Sequence, residues 1–195
     1  MKQAAVVDFF DRCAPTWDAE MIRNEDAIRA ILDNAGVCAG VDVLDVACGT
    51  GVLIPDYLAR NVASVTAIDL SPNMARIART KFGAQPNVTV LCGDAEQTDF
   101  DRRFDCIVIY NALPHFADPA RLCTALSAYL KPGGVLTVAH GMSRECINRH
   151  HAGDPSPVYT DLPPAEELAA LFPAHLAVTT VISDARMYQV AGRKA

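Results

Sequence analysis

The feature that most constrains this chain is an alternation that begins near residue 41. Short apolar runs recur, and each is followed by a stretch with helical period and helix-start signals. The runs lie at 41–48 (VDVLDVAC), 64–70 (SVTAIDL), 87–93 (NVTVLCG), 104–111 (FDCIVIYN) and 134–140 (GVLTVAH). A run that is apolar throughout suits a strand covered on both faces, and strands alternating with helices make parallel βαβ units with right-handed crossovers. The helix beginning at 71 has Ser71 as its N-cap and Pro72 at its first position. A helix is expected over 118–134, capped by Asp118 and opened by Pro119. Its apolar stripe would be Leu122, Ala125, Leu126, Tyr129 and Leu130, and Lys131, Pro132 and two glycines would end it. After a break near 141 come a helix at 162–172 and two further strand-like runs, 175–182 and 186–192. The turn at 183–185 is too short for a crossover, so one C-terminal strand must run antiparallel.

The predicted fold class is therefore α/β, Rossmann-like and doubly wound. It has a mostly parallel seven-stranded sheet, an antiparallel C-terminal strand and helices on both faces. Residues 1–40 read as helices that cover the top edge of the sheet and the site there. Residues 41–195 read as the sheet domain, with 141–160 as a lid over the substrate side of the site, all in one domain. A chain of 195 residues that is 51% hydrophobic can bury one full core. The net charge is −6 and no cluster of Lys and Arg occurs, which argues against a nucleic-acid partner. No run is apolar for long enough to span a membrane. The seven cysteines are scattered and the first residues lack the apolar centre of an export signal, so reduced thiols and a cytoplasmic location are expected.

The segment VLDVACGTGVL (43–53) is a strand, a glycine turn and the start of a helix. Gly49 and Gly51 permit positive φ and close backbone approach, as a turn that cradles a nucleotide-like ligand requires. Asp69 ends the next strand, where a carboxylate can accept from both hydroxyls of a ribose. A dinucleotide site wants a third small residue, and here that place holds Ile54. Asp45, inside the first strand, would face a ligand group of positive charge such as an ammonium. A nicotinamide-dependent oxidoreductase thus stays as an alternative, disfavoured by Ile54 and Asp45. Beyond the third strand, Asp94 can accept from an exocyclic amine of adenine while Ala95 offers its N–H.

Taken together, VLDVACGTG, VTAIDLSPNMARIAR, GDAEQTDF, FDCIVIYNALPHFADP and LKPGGVLTV resemble the class I S-adenosylmethionine-dependent methyltransferases, in order and spacing, over residues 40–140. FFDRCAPTWD (9–18) is similar to the opening of the ubiquinone/menaquinone type. The resemblance implies S-adenosylmethionine as cofactor and S-adenosylhomocysteine as product. It implies that Asp45, Ala47, Cys48, Gly49, Thr50 and Gly51 hold the methionine part, and Asp69 the ribose. Leu70 and Met74 would lie against the adenine, and Gly93, Asp94 and Ala95 would meet its edge. Asn111 would sit near the methionine carboxylate or the sulfonium. Trp17 would either close over the cofactor or serve as a packing anchor. The implied activity is methyl transfer to a small-molecule acceptor, aromatic or quinol-like, by a monomer or homodimer. A non-catalytic S-adenosylmethionine-binding protein is the other alternative.

Displacement at a sulfonium needs alignment more than chemistry, and a base only where the nucleophile holds a proton. His115, in NALPHF (111–116), is a candidate base or a cap of its own loop. MSRECINRHH (142–151) offers His150 and His151 as acceptor-side bases or hydrogen-bond partners, or else as part of a solvated flap. Cys146, His150 and His140 form no metal-ligand spacing pattern, so no metal is expected. Gly153, Asp154 and Pro155 would end this helix.

Overall fold

The structure, a computed structural model, describes residues 3–151 and 158–195, with His151 described through its backbone. The expected end of the lid helix at Gly153, Asp154 and Pro155 lies outside the described residues. In chain order the elements are α1 (Gln3–Cys13), α2 (Trp17–Glu20), α3 (Glu25–Asn34), β1 (Asp42–Val46), α4 (Ile54–Ala59), β2 (Ser64–Asp69), α5 (Pro72–Phe82) and β3 (Val88–Cys92). Then follow β4 (Phe104–Tyr110), a 3₁₀ turn (Leu113–His115), α6 (Pro119–Ser127), β5 (Leu130–His140), α7 (Arg144–His151), α8 (Ala165–Ala170), β6 (Leu176–Ser183) and β7 (Tyr188–Lys194).

The strands form one seven-stranded sheet in the order β3-β2-β1-β4-β5-β7-β6. The pairs among β1 to β5 are parallel, whereas β7 runs antiparallel to both β5 and β6. The expected fold class holds. Strand alternation sorts the core into two layers. Val43, Val65, Ala67, Cys106 and Val108 pack with Ile28 and Leu32 of α3, Tyr57 of α4, and Ala75 and Ala78 of α5. Leu44, Val46, Ile107, Ile109 and Val138 pack on the other face with Leu122 and Leu126 of α6 and Leu168 of α8. Each fully buried leucine of this kind contributes about 1.5–3 kcal/mol relative to exposure. The chain winds outward from β1 to β3 and then returns to β4. The carboxyl ends of β1 and β4 therefore flank the switch point, where open α/β sheets bind ligands.

Both expected caps form: Ser71 Oγ accepts from Met74 N (3.1 Å), and Asp118 Oδ1 from Arg121 N (3.0 Å). The helix over 118–134 is shorter than expected. It stops at Ser127, and Leu130 opens β5 by pairing with Phe104, so Leu130 belongs to the strand and not to the helix stripe. Gly133, at φ 77°, accommodates the register shift between Phe104 and Cys106 that lets β5 begin early. The final turn occupies 184–187 and not 183–185, because Asp184 Oδ1 accepts from the backbone of Arg186 and Met187 (2.8 and 2.9 Å). Among the described residues no helix is long and apolar enough to cross a membrane.

The N-terminal helices divide their work. α3 lies on the sheet face with Ile31 and Leu32 fully buried, and Gln189 of β7 donates to the Ile31 carbonyl (3.0 Å). α1 and α2 lie instead over the carboxyl ends of the strands.

Candidate active site

The site is built on the turn after β1. Three of its residues have left-handed backbones: Ala47 (φ 54°), Gly49 (57°) and Gly51 (85°). For Ala47 this costs roughly 1–2 kcal/mol, a strain held by the surrounding structure. Cys48 N donates to the Ile68 carbonyl (3.1 Å), which ties the turn to β2. The two glycines serve different ends. A Cβ on Gly49 would have only Trp17 Nε1 (3.7 Å) and Val52 (3.8 Å) nearby, so this residue leaves room in front of the turn. A Cβ on Gly51 would fall 2.7 Å from the Phe82 ring, so this one lets α5 pack behind the turn.

In front of the turn is a cavity of about 300 Å³. Its walls include Asp45, Ala47, Cys48 and Gly49 from β1 and the turn, Asp69, Leu70 and Met74 from β2 and α5, and Gly93, Asp94 and Ala95 after β3. Asn111 and His115 from beyond β4 and Trp17 from α2 complete this set. Two residues expected there do not reach it. Thr50 and Gly51 lie behind the turn, where the buried Thr50 hydroxyl donates to Asp18 Oδ1 (2.5 Å).

The carboxylates are the chemical core. Asp69 accepts from Gly49 N (2.7 Å) through Oδ2 and from Ser71 N (2.9 Å) through Oδ1. Burial nevertheless pushes its carboxyl up to about 6 against the lowering effect of those two bonds. Asp45 is 2% exposed, and its Oδ2 has no hydrogen-bond partner among the described residues. Burial pushes it up to about 8; the nearby Tyr57 hydroxyl opposes this and the charge of Asp69 adds to it. Asp94 sits in its own turn, with Oδ1 accepting from Glu96 N (2.9 Å) and Oδ2 from the side-chain amides of Gln3 (2.8 Å) and Gln97 (2.6 Å). Burial holds the Cys48 thiol well above its ordinary range, so it is no nucleophile at neutral pH.

α1 and α2 roof the cavity and are pinned by two acids. Asp11 Oδ1 accepts from Ser71 Oγ (2.5 Å) and Asn73 N (3.0 Å) at the start of α5. Asp18 accepts from Thr50 and from Lys81 Nζ (2.8 Å). Beneath this roof runs an aromatic chain. The Phe10 ring meets His115 edge-on at 4.8 Å and Trp17 at 5.8 Å; Tyr159 meets His115 at 5.1 Å and Phe9 at 5.8 Å. His115 Nδ1 lies 2.9 Å from the Val158 carbonyl, which can only accept, so Nδ1 carries the proton in this contact. Thr160 donates to the Pro114 carbonyl through N (2.8 Å) and Oγ1 (3.1 Å), strapping this loop from outside.

The segment expected as a lid is described in part. Among the described residues of 141–160, none lines the cavity. α7 is docked, with Ile147 in the core and Asn148 exchanging two bonds with Leu162 (2.8 and 3.1 Å). His150 is exposed and bonds the Cys146 carbonyl (3.0 Å), outside the cavity wall. The His151 side chain lies outside the described residues. Cys146 Sγ does face His150 Nδ1, at 3.8 Å. Asn111, left-handed at φ 53°, uses its side-chain oxygen to accept from Gly141 N (3.0 Å), which joins the ends of β4 and β5. The cavity also has walls that sequence reasoning missed: Gln3, Phe10, Met21, Tyr110, Phe116 and Arg121. Phe10 carried a signal as part of FFDRCAPTWD, and Tyr110 and Phe116 as part of FDCIVIYNALPHFADP.

A family profile described as "Methyltransferase domain" matches residues 43–134. The ubiquinone biosynthesis O-methyltransferase of Xylella fastidiosa (strain 9a5c) is 38% identical over 104 residues, which make up 52% of this chain and 42% of that protein. That of Coxiella burnetii (strain Dugway 5J108-111) is 38% identical over 99 residues, 50% of this chain and 42% of that protein. The matched stretch thus spans less than half the length of these curated relatives. Among solved structures, the complex of the Haloferax volcanii Trm112 methyltransferase activator with a putative methyltransferase superposes with a TM-score of 0.82 at 21% identity, over 97% of each chain. The N-methyltransferase NodS of Bradyrhizobium japonicum WM9, solved with S-adenosyl-L-homocysteine, gives 0.76 at 15% identity, over 97% of this chain and 98% of that one. At such identities the two structures speak for the fold.

Proposed function

From a chain that carries a class I S-adenosylmethionine-dependent methyltransferase domain, we propose that it transfers the methyl group of S-adenosylmethionine to a small aromatic hydroxyl acceptor. One observation carries the reading. Asp45, Asp69 and Asp94 stand at the carboxyl ends of successive strands and face one cavity across the turn at 47–51. In this reading Asp69 takes the ribose hydroxyls, with its oxygens already aimed by Gly49 and Ser71. The orphaned Asp45 carboxyl meets the ammonium. Trp17 Nε1, which has no partner among the described residues, donates to the carboxylate. An adenine amine replaces the Gln3 amide on Asp94.

A cavity of about 300 Å³ lies at the small end of ligand pockets, so the cofactor takes most of it. The acceptor is correspondingly modest and lies against Phe10, His115 and Phe116. An aromatic hydroxyl suits that wall and agrees with the O-methyltransferase relatives. The oxygen lone pair attacks the methyl carbon, the carbon–sulfur bond breaks, and its electron pair stays on sulfur as the neutral thioether. His115, on the cavity wall, receives the hydroxyl proton; most of the acceleration comes from alignment. His150, away from the cavity wall, takes no part.

Calorimetric titration with S-adenosylhomocysteine and, separately, with NADH tests the cofactor side. Binding of NADH alone would restore the oxidoreductase reading. Production of S-adenosylhomocysteine with a set of small phenols tests the transfer. Cofactor binding with no turnover on phenols, amines or thiols would favour a non-catalytic binding protein.

A further inference from the structure

Tyr57 of α4 is fully buried, and its hydroxyl has no hydrogen-bond partner among the described residues. Asp45 shares the face of β1 with Val43, which packs in the same layer as Tyr57, and its Oδ2 also has no hydrogen-bond partner among the described residues. The hydroxyl is near enough to favour the Asp45 carboxylate, although the two are not in bonding geometry. Leaving two buried polar atoms unpaired costs stability that an apolar residue at 57 would avoid. Such a pair is expected where one member changes charge when a ligand arrives. The groups that bear on it are Asp69 and Cys48 from the cavity side, Asp56 from α4, and Cys106 from β4. None of these is a cation, which leaves the Tyr57 hydroxyl as a donor beside Asp45 that can favour its ionised form.

We propose that Tyr57 is a positioning residue for the cofactor's charged end: its hydroxyl closes onto Asp45 when that carboxylate ionises against the incoming ammonium. Tyr57 does not touch the cofactor, since it is absent from the cavity wall. It acts through Asp45, holding one oxygen so that the other faces the ligand. The inference rests on the cofactor reading above.

The test is the affinity for S-adenosylhomocysteine measured from pH 6 to 8, for the full chain and for Tyr57→Phe, which keeps the ring and removes only the oxygen. A hydrogen bond to a charged group corresponds to about a tenfold or larger loss of affinity. Tyr57→Phe is therefore expected to bind about tenfold more weakly near pH 8, with its pH midpoint moved upward and its melting temperature retained. If affinity and midpoint match the unaltered chain, while Asp45→Asn weakens binding, Tyr57 is only a core filler and the inference fails alone. If the unaltered chain binds no S-adenosylhomocysteine, the cofactor reading fails and takes this inference with it. A second measurement does not depend on the variant folding. In the unaltered chain labelled with ¹³C-tyrosine, the Tyr57 Cζ resonance should shift through the pH range in which affinity changes. A resonance that stays fixed there would overturn the proposal.

Discussion

Cofactor binding should release a proton, and Asp45 sets the amount. Burial holds this carboxyl up to about 8. At pH 7 it is therefore about nine-tenths protonated, and an ammonium beside it needs the ionised form. Each pH unit below 8 costs about 1.4 kcal/mol of binding free energy. From pH 8 to pH 6 the dissociation constant for S-adenosylhomocysteine should rise about fiftyfold, and more steeply below pH 6 as Asp69 adds a second proton. Calorimetry at pH 7 in two buffers of different ionisation enthalpy should show release of about 0.9 proton per cofactor. Asp45→Asn should flatten the pH dependence and bind about ten- to a hundredfold more weakly at pH 8. The linkage to stability has the opposite sense. Asp45 has a raised pKa in the fold, so its contribution is whole below its ordinary 3.8 and is lost as pH rises towards 8. The empty protein should lose stability over that window, and bound cofactor should restore it. Equal pH slopes for the unaltered chain and Asp45→Asn would refute the reasoning.

Gly51→Ala should cost roughly 2–5 kcal/mol, from the left-handed backbone and the Phe82 contact, measured by denaturant unfolding. Because Gly51 lies behind the turn, the folded fraction should bind cofactor normally, and Phe82→Leu should return part of the loss. Asp11→Ala removes two bonds that pin α1 to α5 and should lower stability by about 1–2 kcal/mol. Stopped-flow should also show faster cofactor release; an unchanged off-rate would mean that α1 does not hold the cofactor in place. His115→Ala should lower kcat on a phenol by about a hundredfold or more while the cofactor affinity holds. His150→Ala should leave both unchanged; the reverse pattern would move the chemistry to α7.

The sheet and the carboxylates that wall the cavity were legible in the sequence for a local reason. Each strand is a contiguous apolar run, and Asp45, Asp69 and Asp94 sit at or beside strand ends, where the direction of a parallel sheet places them together. Helix starts were legible at Ser71 and Asp118 because a cap bonds to a backbone N–H three residues on. The end of α6 was not, because Leu130 chooses strand over helix only when Phe104 is there to pair with it. Gly49 and Gly51 look alike in sequence, and only the ring of Phe82 behind one and the cavity before the other tell them apart. The acceptor side was least legible. MSRECINRHH drew attention because its cysteine and histidines are neighbours in the chain, yet the core takes Ile147 and turns His150 away from the cavity. The roof and the aromatic chain bring Phe10, Trp17, His115 and Tyr159 together from far apart in sequence. By itself the sequence determined the order of strands and helices and the carboxylates at their ends, since these follow from short-range periodicity and chain direction. Only the tertiary structure decided which side chains wall the cavity and which carboxyl keeps its proton, since burial and contact are set by residues remote along the chain.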